Sequence, residues 1–432
     1  MTTRSSYLAR VASALGRRRL VFFGTRGADA RSLSDLPCFE EIVSQVAPSN
    51  LSGIRETCLE SLTGRRVDLD SYDIDLDHSE AVASLRQRLL DALAEPSAVI
   101  PYRSCALLAS AWFPRSSRSL HLGNFHDKQS CFEHKPWVET QLAALGILAV
   151  PWRYYADDER VVIEERLATG PLVIRSNKSS GGTGVKFVEG PEQLDAHWPE
   201  HDDGFLAVAP FVTGVSVNVN GVVYSDGRVS RHGASVQLVG LPECTARRFG
   251  YCGNDFGAAS RLDDAELDAL DTLLVRVGQW LAGQGYRGAF GIDAILRAGR
   301  ALLVEVNPRF QGSSRLSAMQ DVEDDRADMF LAHIAAWLGL GAPDDATLRD
   351  LASTRPPRAH VVMHARALED RGHLLAGTRG LELVPAEGVQ VEPGAILWDA
   401  VFEQLVTTDG TSLESTVVLP SLRKAEGVEG DD

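Results

Sequence analysis

The apolar positions in the first third of the chain alternate between strand-like runs and a helix-like period. A short apolar strand begins at Arg19, a helical pattern follows near residues 82–94, and a second apolar run covers residues 98–101. Strand, helix and strand in this order are typical of an open α/β domain. The turn at 24–27 lacks the full glycine fingerprint of a phosphate-binding loop, and we interpret it as a plain turn.

A helix and a glycine-rich turn between two strands are predicted for residues 131–204. The helix covers roughly residues 134–145 and ends at Gly146, a favourable C-terminal stop. The apolar strand that follows runs into the sequence Asn-Lys-Ser-Ser-Gly-Gly-Thr-Gly at 177–184. Backbone N–H groups in such a turn can bind phosphate oxygens. A flexible solvent-exposed loop explains the composition equally well, but Lys178 inside the turn favours anion binding.

Strand-like patterns dominate residues 205–240. The runs 205–212, 215–224 and 229–239 are apolar with period two or continuously, and Ser-Asp-Gly-Arg at 225–228 is a good hairpin turn. We expect them to form one antiparallel sheet, which residues 289–307 continue. Helical patterns cover 264–284 and 326–340. After a linker rich in proline and aspartate, short strands and turns predict a small β-rich cap within residues 346–432.

Two acidic residues lie in the apolar strands of a predicted hairpin at 288–315. Asp293 interrupts the first strand and Glu305 ends the second, around a turn at 297–300. A hairpin closed by this turn places the two carboxylates across the ladder from each other. Unpaired buried carboxylates are costly, and Mg²⁺ is commonly held by one or two carboxylates together with substrate phosphates. The alternative is a surface hairpin with scattered charges.

Composition limits the classes of function that need to be considered. The chain has 432 residues and a net charge of −16, which argues against nucleic-acid binding. Its six cysteines form no CxxC pair, so neither a disulfide framework nor a zinc site is expected, and a reducing cytoplasm fits. No apolar run approaches the roughly 18 residues of a membrane-spanning helix. We therefore expect a cytoplasmic protein without nucleic-acid or membrane partners.

The order of these elements resembles that of the ATP-grasp ligases, most closely over residues 120–320. The most specific signal is the run Glu305-x-Asn307-x-Arg309 with Asp293 twelve positions before Glu305. The resemblance implies an α/β (α+β ATP-grasp) fold with an N-terminal open α/β domain at 1–130. It further implies a lysine and glycine-flap subdomain at 131–204, an antiparallel-sheet ATP-binding subdomain with the metal hairpin at 205–345, and the C-terminal cap at 346–432.

The resemblance also implies ATP and Mg²⁺, with Mn²⁺ as a substitute, as cofactors. The nucleotide-binding positions that match the family are Lys135, Arg175, Lys178, Gly181, Gly182, Gly184 and Phe211. The metal-binding positions are Asp293, Glu305 and Asn307, and the expected catalytic residues are Arg309 and Arg315. For Arg315 a structural ion pair is the alternative. Two positions depart from the family: Arg175 stands where lysine is usual, and the hinge at 208–214 carries no acid, so ribose recognition must come from elsewhere.

The implied chemistry joins a small-molecule carboxylate to an amine. The carboxylate attacks the γ-phosphate to give an acyl phosphate and ADP, and an amine or peptide acceptor then forms an amide. Several stretches look most like peptide ligases of natural-product (antibiotic) biosynthesis, of the pheganomycin type, and relatives are commonly homodimers. We interpret residues 251–256 as a loop over the acceptor pocket or as a structural turn.

Two other functions remain open. A carrier-protein thiol could replace the amine, which would give a thioester. A nucleotide-binding module without turnover is the second alternative, and the acid-free hinge is its support. A biotin-dependent carboxylase is disfavoured, because the chain has no biotin-attachment sequence.

Overall fold

The computed structural model describes residues 3–156, 158–176, 181–198, 205–368, 381–414 and 416–418 of the chain. Lys178, one of the predicted nucleotide-binding residues, lies outside these ranges. Within them, none of the helices has both the length and the apolar character needed to cross a membrane.

The N-terminal region is built around a five-stranded parallel sheet. Its strands follow the order β3-β2-β1-β5-β6, so that β1 is central and the direction of strand order reverses between β1 and β5. This arrangement agrees with the predicted open α/β architecture. The elements are α1 (Arg4–Leu15), β1 (Arg19–Arg26), β2 (Phe39–Val46), β3 (Arg55–Cys58), α2 (Leu59–Thr63), β4 (Arg65–Arg66), α3 (Glu80–Ala92), β5 (Ser97–Pro101), α4 (Ala106–Trp112) and β6 (Ser119–His121).

The next region contains a four-stranded sheet in the order β7-β10-β8-β9. Its elements are α5 (His126–Glu133), α6 (Lys135–Ala144), β7 (Arg153–Ala156), α7 (Arg160–Leu167), β8 (Leu172–Arg175), β9 (Val185–Val188), α8 (Pro191–His197) and β10 (Phe205–Pro210). The sequence predicts β10 as part of the large antiparallel sheet, and that prediction is wrong. Leu206 and Val208 of β10 instead pack with Ile163 and Leu194 in a separate small core, so β10 pairs with β7 and β8.

An eight-stranded sheet forms the centre of the protein, and its strand pairs are antiparallel. The order is β15-β14-β11-β12-β13-β16-β19-β17. The elements of this region are β11 (Val215–Val223), β12 (Val229–Val239), β13 (Tyr251–Asp255), α9 (Phe256–Ala259), α10 (Asp264–Gly283), β14 (Gly288–Arg297), β15 (Arg300–Asn307), α11 (Ser314–Glu323), α12 (Met329–Trp337), α13 (Leu348–Thr354), β16 (Ala359–His364), β17 (Leu381–Glu382), β18 (Gln390–Val391) and β19 (Ile396–Phe402).

The helices that cover this sheet follow the apolar periods of the sequence. Helix α10 begins with a capping box between Asp263 and Glu266, and its apolar stripe from Leu267 to Leu281 is buried in the core against β11 and β14. Helix α12 is almost entirely buried because it lies between this sheet and the N-terminal sheet, where Phe330 contacts Phe22. The two large sheets are therefore joined through a continuous apolar core.

Two predictions for the second half of the chain need correction. Residues 251–255 form the strand β13 and not a loop. Strands β16, β19 and β17 do not form a sheet of their own but extend the eight-stranded sheet beyond β13, while β18 pairs with β4 of the N-terminal region. An unpaired edge at β13 would leave a row of backbone groups without partners, and β16 satisfies them.

Candidate active site

A cavity of about 710 Å³ lies between the three sheets. It is lined by the hinge that follows β10, by the hairpin β14–β15 and by the carboxyl ends of β1 and β5. The sequence-predicted site residues that line it are Lys135, Arg175, Gly181, Gly182, Phe211, Asp293, Glu305, Asn307 and Arg309. Gly184 and Arg315 do not line it.

The hairpin β14–β15 brings the two acidic residues face to face. Asp293 is registered opposite Glu305, and Arg297 pairs with Arg300 at the closing turn. Ala298 and Gly299 in that turn have φ angles of 51° and 69°, as a two-residue hairpin turn of the left-handed type requires. The predicted hairpin is therefore confirmed. The register set by its turn would pair Asp293 with Val304, and a β-bulge between Asp293 and Ala294 shifts it by one residue, so that Glu305 lies opposite Asp293.

Asp293 is held in a buried polar setting. Burial raises the pKa of Asp293 to about 6, and the neighbouring Glu305 carboxylate contributes to the rise. Two amide groups oppose the rise: Asn218 Nδ2 donates to Asp293 Oδ1 at 2.5 Å and Asn307 Nδ2 donates to Oδ2 at 3.0 Å. A cation placed between the carboxylates would favour the ionised form.

Glu305 lies next to the predicted phosphate-binding lysine. Burial raises the pKa of Glu305, but the charges of Lys135 and Arg175 lower it by more, so it lies below its usual range. Lys135 Nζ is 3.0 Å from Glu305 Oε1. Lys135 is the first residue of α6, where His134 caps the helix by accepting a hydrogen bond from the Trp137 backbone N–H. The helix start therefore places a cation at the predicted metal site.

Arg175 is fixed at the end of β8 by two neighbours. It is 3% exposed, forms an ion pair with Glu139, and its guanidinium carbon lies 3.9 Å from the centre of the Trp152 ring. Trp152 also lines the cavity. A stacked and paired guanidinium of this kind presents its remaining edge in one orientation only.

The hinge and the flap form the opposite part of the cavity lining. Residues 209–214 contribute their backbone and mostly apolar side chains, without an acid, and Phe211 packs edge-to-face on Phe187 at 4.9 Å. In the flap, Gly182 has a φ angle of 76°, and a Cβ atom there would lie 2.1 Å from the carbonyl oxygen of Phe249. Only glycine fits this approach, which packs the flap against the loop before β13.

The two arginines predicted to be catalytic have different surroundings. Arg309 lines the cavity, with Nε 3.9 Å from Glu133 Oε1. Arg315 is 3% exposed, and its guanidinium binds Asp399, at 2.5 Å from Nη2 to Oδ2, and Glu382. The structure favours the alternative of a structural ion pair for Arg315, because two carboxylates of the sheet extension bind its guanidinium and the residue does not line the cavity.

A buried amide network behind Asp293 was not predicted. Gln311 Nε2 donates to Asn218 Oδ1 at 3.0 Å and to Asn220 Oδ1 at 2.9 Å, and Ser313 donates to Asn218 Oδ1. These bonds orient the Asn218 amide so that its nitrogen faces Asp293. The available signal is the pair Asn218 and Asn220, two polar residues with period two inside an otherwise apolar strand.

The predicted metal site can be tested against its ligand set. Among the described ranges, no three His, Cys, Asp or Glu side chains come together as a metal-binding group. The site thus offers the two carboxylates of Asp293 and Glu305, with the Asn307 amide beside them. Such a set is too small for an all-protein cage but fits Mg²⁺, which usually keeps waters and takes phosphate oxygens as further ligands.

Comparisons with known proteins bear on the domain family and on the fold. Residues 139–313 match the model of the ATP-grasp domain family. No curated protein sequence matches the chain. Solved structures match over nearly the whole length at low sequence identity, so they inform on the fold alone.

Three of these structures illustrate the likeness. An N5-carboxyaminoimidazole ribonucleotide synthase from Aspergillus clavatus, complexed with ATP, is 15% identical with a TM-score of 0.59 over 96% of this chain and 100% of its own. Biotin carboxylase from Campylobacter jejuni is 13% identical with a TM-score of 0.59, over 90% of this chain and 89% of its own. The biotin carboxylase domain of 2-oxoglutarate carboxylase from Hydrogenobacter thermophilus, complexed with MgADP, ADP and bicarbonate, is 14% identical with a TM-score of 0.61, over 90% and 86%.

The chain therefore has the α+β ATP-grasp fold and contains an ATP-grasp domain. The domain match ends at residue 313, just beyond the hairpin that carries Asp293 and Glu305. It begins within α6, four residues after Lys135.

Proposed function

We propose that this protein is an ATP-dependent ligase that activates a carboxylate and joins it to an amine, with ADP and phosphate as products. The observation that carries the proposal is the contact of 3.0 Å between Lys135 Nζ and Glu305 Oε1, with Asp293 opposite Glu305 in the same cavity. A helix-start cation and two carboxylates gathered in one cavity match the needs of phosphoryl transfer, which depends on positioning and charge neutralisation.

Mg²⁺ would be held by Asp293 and Glu305, with Asn307 as the third group. When bound, the ion neutralises charge on the phosphates of ATP and orients them. The pKa of about 6 at Asp293 fits this role, because burial and Glu305 disfavour its charged form until a cation compensates. The amide network behind Asn218 keeps the Asp293 carboxylate in place.

The remaining cavity residues contact different parts of the nucleotide. Lys135 and Arg175 neutralise phosphate charge, and the backbone of the hinge around Phe211 contacts the adenine. The flap glycines Gly181 and Gly182 cover the phosphates and exclude water, which would otherwise hydrolyse an activated acid. The hinge offers no acid for the ribose, so this contact comes from another part of the cavity.

The reaction then proceeds in two displacements. Arg309 binds the substrate carboxylate, and one carboxylate oxygen attacks the γ-phosphorus while the bond to the β-phosphate oxygen breaks and ADP leaves. The acceptor amine attacks the carbonyl carbon of the acyl phosphate, loses a proton, and expels phosphate to leave an amide. Arg309 also stabilises the charge of the acyl phosphate.

The substrates are proposed to be an amino acid or modified amino acid as the carboxylate and an amine or peptide as the acceptor. We place the reaction in peptide-type natural-product biosynthesis in the cytoplasm. All six cysteines are free thiols, which fits a reducing compartment.

Bicarbonate is a second candidate for the carboxylate. The specific observation in its favour is that the full-length structural neighbours named above include carboxylating enzymes, one of them complexed with bicarbonate. Their sequence identities of 13–15% carry the fold but not the substrate. A carrier-protein thiol as acceptor is the third candidate.

The test is a screen for ATP turnover with pairs of carboxylates and amines, including bicarbonate, read by mass spectrometry. The proposal expects ADP, phosphate and an amide product for at least one pair. AMP and pyrophosphate as products would contradict it. Tight binding of MgATP without turnover for any pair would instead support a nucleotide-binding module, and a mass increase on a carrier protein would support the thioester reaction.

A further inference from the structure

The carboxyl edge of the N-terminal sheet contributes a wall of the cavity that the steps above do not use. Arg26 ends β1, and Tyr102 and Arg103 directly follow β5, its neighbour in the sheet. All three line the cavity. The strand order reverses between β1 and β5, and the crevice outside the carboxyl ends of strands at such a reversal is a general site of ligand binding in α/β sheets.

Arg26 in this wall has an unused hydrogen-bond donor. The residue is 4% exposed, and its Nε donates to Asp29 Oδ2 at 3.0 Å. Its Nη2 is buried and finds no hydrogen-bond partner among the residues that the structure describes, and the same holds for Oδ1 of Asp29. An unmade buried hydrogen bond costs about 1–3 kcal/mol, more for a charged group. A cavity ligand with an acceptor oxygen would remove this cost, and Asp29 already fixes the plane of the guanidinium.

The arginines of this wall lie in ion pairs. Arg103 Nη2 lies 2.6 Å from Glu133 Oε2, and Arg309 reaches the same carboxylate at 3.9 Å. The two arginines of the wall are thus each paired with one carboxylate, Arg26 with Asp29 and Arg103 with Glu133. The other acids on this side have partners of their own: Asp68 and Asp70 bind Arg247, and Asp399 binds Arg315 and His360.

Tyr102 adds a neutral donor to the same wall. Burial raises the pKa of Tyr102 to about 12, although Arg26 and Arg309 lie close enough to lower it. The phenol therefore keeps its proton at neutral pH and can donate a hydrogen bond. A planar anion with two oxygens suits this set, because guanidinium groups bind carboxylates through paired N–H donors.

We infer that Arg26, with Tyr102 and Arg103, binds the free carboxylate of the amine acceptor. The inference rests on the proposed ligase function and narrows its acceptor to an amino acid or a peptide with a free C-terminal carboxylate. The inference also assigns the carboxylates of the two substrates to different walls of the cavity. Arg309 and the hairpin bind the one that is activated, whereas the N-terminal wall binds the one that must not be activated.

The test compares each acceptor acid with its C-terminal amide, with the activated carboxylate found in the screen. For the wild-type enzyme we expect kcat/KM to be about 10–100-fold higher for the acid, the value of one charge-assisted hydrogen-bonded contact. In Arg26→Gln the KM for the acid should rise by a similar factor, while the KM values for the amide and for ATP stay unchanged. The control is Arg19→Gln, the same change at the other end of β1, where the side chain bonds Ala92 O outside the cavity.

Hydroxylamine, an uncharged acceptor, separates this inference from the proposed function. ADP formation driven by hydroxylamine should be the same in Arg26→Gln and wild type, because it needs activation but no carboxylate contact. If wild-type enzyme gives no ADP with any acceptor, the proposed function fails. If wild-type enzyme turns over and uses amides as well as acids, the anion subsite is overturned and the ligase function stands.

The Arg26→Gln substitution leaves Asp29 without its ion pair in the interior, and the protein could therefore fail to fold. A second variant keeps the inference testable in that case. Arg26→Lys keeps a positive charge beside Asp29 but loses the paired donors. It should melt close to the wild-type temperature and show a reduced preference for the acid over the amide. A wild-type preference in this folded variant would overturn the inference.

Discussion

The hairpin wall of the cavity (β14–β15) and its N-terminal wall (the carboxyl ends of β1 and β5) are both charged, but their charges are arranged differently. In the hairpin wall the polar groups contact one another: Lys135 binds Glu305 and Asn307 binds Asp293. In the N-terminal wall, Arg26 keeps a buried donor without a partner among the described residues. A nucleotide with its metal ion can separate opposite charges that bind one another. A hydrogen-bond donor without a partner instead favours a ligand that carries an anionic group. From this difference we infer that the hairpin wall is the phosphate-transfer side of the cavity and that the N-terminal wall is the acceptor side.

The largest effect is expected from neutralising Glu305, which would break the phosphate-transfer side. Glu305→Gln removes a carboxylate from the proposed metal site and with it the ion pair between Glu305 and Lys135. We expect kcat to fall by about three orders of magnitude, in the range seen when a main electrostatic group is removed. The measurement is ADP release with the substrates found in the screen.

The control for this change is Glu323→Gln on α11, whose carboxylate pairs with Arg358 outside the cavity. Equal ADP release from Glu305→Gln and from this control would show that the hairpin does not hold the metal. Both variants should keep the wild-type circular dichroism spectrum.

A substitution of Arg315 tests whether this residue stabilises the fold through its ion pairs or takes part in the reaction. Arg315→Met leaves Asp399 and Glu382 without their cation, and Asp399 is fully buried. Breaking a buried pair from one side typically costs about 3–5 kcal/mol, so the free energy of unfolding should fall by about this amount. Chemical denaturation measures it.

A catalytic Arg315 would give a different result: the variant would keep its stability and lose its turnover. Turnover is measured at a low temperature at which both the wild type and Arg315→Met are folded. Loss of turnover at wild-type stability would show that the side chain acts on the substrate. We expect the reverse, with turnover per folded molecule close to wild type.

Lys135 is expected to have an intermediate effect, on nucleotide affinity. Lys135→Met removes a phosphate contact but leaves both carboxylates, so the KM for ATP should rise about 10–100-fold, in line with one charge-assisted bond. Lys128→Met is the matched control, because its ammonium binds the carbonyl oxygen of Gly285 and does not line the cavity. An unchanged KM for ATP would remove Lys135 from the phosphate-transfer side.

The two walls also differ in how much of them the sequence predicts. Asp293 and Glu305 are separated by a single turn, so one hairpin brings them close together, although a β-bulge that the sequence does not predict is needed to place them opposite each other. Arg26 and Tyr102 come from the ends of two strands that are separated along the chain by three other strands and two α-helices, and only the sheet order brings them together. Arg26 also follows an ordinary apolar strand within Gly-Thr-Arg-Gly, where nothing in the residue types marks it.

The sequence could not identify the partners of Arg315 for a related reason. Its partners Glu382 and Asp399 lie 67 and 84 residues further along the chain. The sequence predicts for this segment a cap of its own, so an ion pair between the hairpin region and that segment could not be placed. Similarly, the apolar pattern predicts a strand at 205–212 but cannot decide which of two sheets it joins, since both offer apolar faces.

The smallest expected effect concerns the joint between the two walls. His333 of α12 accepts a hydrogen bond from the Ala289 backbone N–H at Nδ1, 2.9 Å away, and its Nε2 lies 2.7 Å from Leu122 O, beside the N-terminal sheet. Nε2 therefore carries the proton and donates to that carbonyl, and the neutral ring satisfies both partners. Burial lowers the pKa of His333 to about 4 from 6.5, so the stability that it contributes is complete above pH 6.5 and is lost as the pH falls toward 4.

Between pH 7 and pH 5.5 this loss should amount to about 1 kcal/mol in the free energy of unfolding. His333→Gln, with an amide that can serve both partners, should flatten the pH dependence by that amount, whereas its stability at pH 7 should change less than that of Arg315→Met. The measurement is urea unfolding at both pH values. An unchanged pH dependence in the variant would mean that His333 is protonated with the same ease in the folded and unfolded states.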